Sequence, residues 1–108
     1  MKLLIAFVQR EDSQKLLHKL RQANLAVTSF ESEGGFLKRK NTTVLMALED
    51  DEVDKAVNTI KENCKTRYEK IDTSFTAGDV ENLLAAPTDI PVGGATILVL
   101  DVKEKIKI

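Results

Sequence analysis

The sequence has no tryptophan, one tyrosine, one histidine, one cysteine and two prolines among 108 residues. A lone Cys64 excludes an internal disulfide, and a zinc site would have to recruit His18 and carboxylates in place of thiolates, so no structural metal or cofactor is expected. Proline scarcity and a 43% hydrophobic composition argue against a disordered or linker-like chain. An excess charge of one sign is also missing. With 16 Lys+Arg against 17 Asp+Glu the net charge is -1, which leaves no positive field to hold DNA, RNA or an acidic membrane. No apolar run approaches the roughly 20 residues of a membrane span, and Leu3 to Val8 lacks the length and cleavage site of a signal peptide, so a cytoplasmic protein is expected. What remains is one domain, residues 1–108, burying roughly 65% of its extended surface.

The run Leu3 to Val8 has no polar residue at every second position and reads as a central strand buried on both faces. Asp12 is placed to cap a helix over about residues 13–23, in which Leu16, Leu17, Leu20 and Ala23 recur at helical spacing up to Asn24, a residue that tolerates the left-handed conformation. Strands are expected over 25–33 and 42–48, with the basic loop 34–41 between them. Five acids between Glu49 and Asp54 suit the positive end of a helix dipole, and Val53, Ala56, Val57, Ile60 and Cys64 give the apolar stripe of a helix over 52–64. A half-exposed strand follows at 66–73, then a long loop at 74–91, then a doubly apolar strand over Ala95 to Val102.

The order β-α-β-β-α-β-β is that of an α+β ferredoxin-like sandwich, an antiparallel sheet with two helices on one face. Such a sheet leaves its second face to water, yet Leu3–Val8 and Ile97–Leu100 offer apolar side chains to both sides. Large exposed apolar surfaces mark association, so a homo-oligomer with sheets packed together is expected.

Chemistry has few footholds. His18 reads as a solvated helix residue, Cys64 as a small core hydrophobe, and the acids at 49–54 lack the ligand alternation and glycine of a calcium loop. No nucleophile with a matching base is visible, so an enzyme is not expected. The richest segment is Gly34-Gly35-Phe36-Leu37-Lys38-Arg39-Lys40-Asn41-Thr42. Paired glycines let backbone N–H groups approach an anion, three cations attract phosphate, and Phe36 offers a face on which a base stacks. The same residues also describe a hairpin turn with a basic tip, and the composition leaves both readings open.

Asn24 and Thr28, the run Gly34-Gly35-Phe36-Leu37 with Asn41-Thr42-Thr43, and Val92-Gly93-Gly94-Ala95-Thr96 before the last strand resemble the cyclic di-AMP receptor family of Gram-positive bacteria, relatives of the PII signalling proteins. The opening strand and Gln9-x-x-Asp12-Ser13 extend the resemblance over nearly the whole chain. It implies a PII-like homotrimer with sheets facing inward and a cyclic di-AMP cleft at each subunit boundary. Carried over to matching positions, it implies that Asn24 and Thr28 contact the dinucleotide, that Gly35, Phe36 and Leu37 form pocket wall and backbone contacts, and that Asn41 reads an adenine edge. Ala26 and Ala47 depart from it, since such receptors usually carry arginine and glycine there. The expected function is non-catalytic signalling, in which loops 34–41 and 74–91 report ligand occupancy to a partner protein not named by the sequence. The alternative is a trimeric interaction module that has lost the dinucleotide, Ala26 being the feature in its favour.

Overall fold

The computed structural model describes residues 1–34, 37–70 and 89–108. Its elements are β1 (Lys2–Gln9), α1 (Arg10–Gln22), β2 (Thr28–Gly34), β3 (Leu37–Leu48), α2 (Val53–Asn63), β4 (Arg67–Lys70), β5 (Asp89–Val92) and β6 (Ala95–Asp101), with a single 3₁₀ turn at Asp50–Glu52 leading into α2. Four strands form an antiparallel sheet in the order β2-β3-β1-β6, and β4 pairs with β5 in a separate ribbon. This is the expected ferredoxin-like α+β sandwich.

Strand periodicity divides the sheet into two faces. One carries Leu4, Ala6 and Val8 of β1 with Val44, Met46 and Leu48 of β3, none more than 1% exposed. Leu16 and Leu20 of α1 and Ala56 and Ile60 of α2 close over it in one cluster, because residues three or four apart fall on one side of a helix. The other face carries Leu3, Ile5 and Phe7 beside Leu45 of β3 and Leu98 and Leu100 of β6. Among the described residues no helix covers it, and Phe30, Leu98 and Leu100 stand 51%, 42% and 45% exposed. The expected central strand is found, β1 lying between β3 and β6, but its burial on both faces is not: Leu3, Ile5 and Phe7 are half-buried where Leu4, Ala6 and Val8 are fully so.

Several boundaries move. Asp12 does not cap α1. The helix starts at Arg10 with Gln9 at its cap position, and the Asp12 carboxylate turns instead to Arg67. Asn24 does adopt the left-handed conformation (φ 60°), and the Leu25 N–H donates back to the Leu20 carbonyl at 3.1 Å, closing α1 in a Schellman-type turn. That turn delays β2 until Thr28. Residues 37–41, expected in a loop, are strand, since β3 pairs with β2 as far as Gly34↔Leu37 across an irregularity at Glu33/Gly34. Residues 89–91, also expected in a loop, belong to β5, which pairs with β4 through Arg67↔Val92 to Lys70↔Asp89. The expected strand residues 71–73 and loop residues 74–88 lie outside the described residues.

Candidate functional site

The open face of the sheet is apolar in its middle and polar at one end. There Gln9 of β1, Asn41 of β3 and Ser32 of β2 lie side by side in register, with Thr43 and Phe30 in the next row. The Ser32 and Thr43 hydroxyls share a hydrogen bond of 2.7 Å. Asn41 is buried, and among the described residues its Oδ1 has no hydrogen-bond partner. Gln9 is also buried, and its Oε1 accepts from the Gly93 N–H at 2.7 Å. A buried acceptor without a donor forfeits about 1–3 kcal/mol, so Asn41 Oδ1 stands out as an acceptor that none of the described residues satisfies.

Thr28, the first residue of β2, shares this face, opposite Leu45. Four residues separate it from Ser32, about 13 Å at ~3.3 Å per strand residue. Ala26 lies two residues before β2 and Ala47 two residues beyond Leu45, the partner of Thr28, so the two departures from the receptor pattern flank the same end of the β2–β3 pairing. Asn24 is exposed at the end of α1, its left-handed backbone being what the Schellman turn requires. Leu37 opens β3, while Gly35 and Phe36 lie outside the described residues. The structure thus brings Thr28 and Asn41 onto one surface. Of the expected phosphate-attracting cations, Lys40 pairs across the strands with Glu33 and lines a polar cleft of about 410 Å³ with Arg10, Glu31, Ser32 and Glu33. Two acids beside two bases make that cleft a poor anion trap.

The base of the β4–β5 ribbon is fixed against the start of α1. Arg67 donates to both Asp12 oxygens at 2.9 and 3.3 Å, and this hydrogen bond raises the Arg67 pKa. The Gly94 N–H donates to the Cys64 carbonyl at 2.6 Å. Gly93 has φ 79°, and a Cβ there would lie 2.6 Å from both the Lys65 carbonyl oxygen and Arg67 Nη1, so only glycine fits. Burial pushes the Cys64 thiol up to about 11, which makes it a poor nucleophile.

A family model described as "Cyclic-di-AMP receptor" matches residues 1–108, the whole chain. The chain belongs to the cyclic-di-AMP receptor family. A crystal structure titled as that of a functionally unknown protein from Pediococcus pentosaceus ATCC 25745 is similar to this member of the family. It is 33% identical, the match covers 99% of this chain and 96% of that one, and the TM-score is 0.76.

For a cyclic-di-AMP receptor, the informative residues are those that sequence reasoning did not assign. Gln9 was part of a recognised motif with no role, and Arg67 had no signal, because its partner Asp12 is 55 residues away. Among the described residues no group of His, Cys, Asp and Glu is placed to hold a metal ion. His18 sits exposed on α1, away from Cys64 in the helix-covered core.

Proposed function

We propose that this chain is a single PII-like domain that acts without catalysis as a cytoplasmic sensor of cyclic di-AMP. Three copies pack their open sheet faces together and take the dinucleotide in clefts along the subunit boundaries. Asn24, Thr28, Gly35, Phe36, Leu37 and Asn41 supply the contacts. The observation that carries this reading is the whole-chain family match joined to the sharing of one open face by Thr28 and the unpartnered Asn41. Asn41 lies across from Ser32, four strand positions or about 13 Å along β2 from Thr28, an offset that suits a ligand with two bases lying along β2 better than a mononucleotide. The apolar middle of that face gives a second copy a reason to dock there. Occupancy is signalled by the β2–β3 connection within 34–41 and by the segment 74–91, whose ligand-dependent contacts shift populations that a partner protein reads.

Isothermal titration with cyclic di-AMP tests the reading. Saturable binding, weakened tenfold or more by Phe36→Ala through a lost stacking contact of about 1–3 kcal/mol, is the expected result. A folded protein that gives no heat with millimolar ligand overturns it.

A second reading is favoured by Ala26 and Ala47. Without a guanidinium at 26 a bridging phosphate loses its most directional partner, and a methyl at 47 takes up room at the same end of the β2–β3 pairing. In that reading the trimer binds a partner protein directly through the same loops. Tight cyclic di-AMP binding by the paired variant Ala26→Arg with Ala47→Gly, and none by the wild type, selects this reading over the first.

A further inference from the structure

We propose that Gln9 is a second reader of the nucleobase, pinned by Gly93 so that it presents a hydrogen-bond donor beside the acceptor of Asn41. The proposal rests on the cyclic di-AMP reading above and names the residue pair that selects adenine within it.

The argument starts from position. Gln9 ends β1 on the open face and lies directly across from Asn41 in the β1–β3 register. Directly opposed side chains on one face of an antiparallel pair have Cβ atoms about 4.5–5.5 Å apart, close to the spacing of two adjacent polar atoms plus their hydrogen bonds to one base edge. Both residues are largely out of water, Gln9 at 6% and Asn41 at 3% exposed, and for the unmet Asn41 Oδ1 a partner is correspondingly valuable.

Chemistry then decides which atom each presents. A backbone N–H only donates, so the Gly93 N–H bonded at 2.7 Å must face the Gln9 oxygen, and the Gln9 amino group is turned to the other side. Turning the amide over would set its amino group against the Gly93 N–H, donor against donor, so this orientation is not free to reverse. The Gln9 oxygen is engaged by Gly93, which leaves its amino group as the one available to a ligand, and among the described residues the buried Asn41 Oδ1 accepts from nothing.

A donor beside an acceptor is the complement of adenine, whose N6 amino group donates while the neighbouring ring nitrogen, N1 or N7, accepts. Gln9 donates to the ring nitrogen and Asn41 Oδ1 accepts from N6. Guanine in the same pose sets its O6 against Asn41 Oδ1 and its N1–H against the Gln9 amino group, acceptor on acceptor and donor on donor. Asn41 alone does not discriminate, because its amide can turn over. Gln9 cannot turn without breaking the Gly93 bond, and it therefore fixes the preference.

The test is titration of wild type, Gln9→Glu and Gln9→Met with cyclic di-AMP and cyclic di-GMP, alongside melting of each protein without ligand. Gln9→Glu keeps an acceptor for the Gly93 N–H and exchanges only the free amino group for an oxygen. We expect an unliganded melting temperature close to wild type, at least tenfold weaker cyclic di-AMP binding at neutral pH, and a narrower preference over cyclic di-GMP, whose N1–H now meets an acceptor. Gln9→Met, neutral and of similar length, is expected to lose cyclic di-AMP affinity tenfold without gaining cyclic di-GMP, which keeps the test intact if a buried carboxylate at 9 prevents folding. Wild type that binds cyclic di-AMP while a folded Gln9 variant binds it equally well overturns the Gln9 contact alone. Wild type that binds neither dinucleotide overturns the receptor reading, and the Gln9 contact with it.

Discussion

One sheet here has two faces whose side chains are offset by a single residue along each strand, and they have different fates. Leu4, Ala6 and Val8 meet two helices of their own chain and are fully buried. Leu3, Ile5 and Phe7, their immediate neighbours, point to the face that no helix of the described residues covers, and that face leaves Phe30, Leu98 and Leu100 about half exposed. The helix-covered face is also wholly apolar at its centre, whereas the open face ends in the polar group Gln9, Ser32, Asn41 and Thr43. The comparison teaches that the first face holds the fold, while the second, apolar in its middle and polar at one end, is the face on which the proposed self-association and ligand binding rest.

The largest expected effect lies on the covered face. Leu16→Ala removes a fully buried side chain from both sheet and helix packing and is expected to lower unfolding free energy by about 2–5 kcal/mol in urea titrations. Next comes the junction at the base of the ribbon. Arg67→Ala leaves the buried Asp12 carboxylate without its partner and is expected to destabilise by roughly 2 kcal/mol, discounted because Arg67 is itself largely solvated. On the open face, Leu98→Ala is expected to change the unfolding free energy of dilute protein by less than about 1 kcal/mol while weakening self-association measurably in sedimentation. Equal losses from Leu16→Ala and Leu98→Ala would erase the distinction between the faces.

The smallest effect is a pH dependence confined to the covered side. The folded Cys64 thiol keeps its proton to about 11, against 9.0 for an unperturbed thiol. Between these values the unfolded chain binds fewer protons than the folded one, so stability contributed by the neutral thiol is complete below 9.0 and declines as pH rises to about 11. Cys64→Ala is expected to remove that decline, which denaturant midpoints measured across the window will show.

The covered and open faces were both legible in the sequence, because a strand with apolar residues at consecutive positions states that both of its sides need company. Helix α2 was legible from Ala56, Ile60 and Cys64, and the left-handed turn from Asn24. The ribbon β4–β5 was not. Pro91 lacks an N–H and argues against a strand, and it is tolerated here because β5 pairs only with β4 within its two-stranded ribbon. Asp12 has the chemistry of a helix cap, and only the return of Arg67 from another element diverts it. The resemblance pointed to Thr28 and Asn41, which the structure sets on one open face, while the hydrogen bond of Gln9 was hidden because its partner Gly93 is 84 residues onward.

Sedimentation equilibrium of the wild-type chain at micromolar concentration tests most directly whether the open face is completed by other copies. The account predicts a particle three times the chain mass of 12.0 kDa. A stable single-chain particle, with its apolar face left in water, would contradict it.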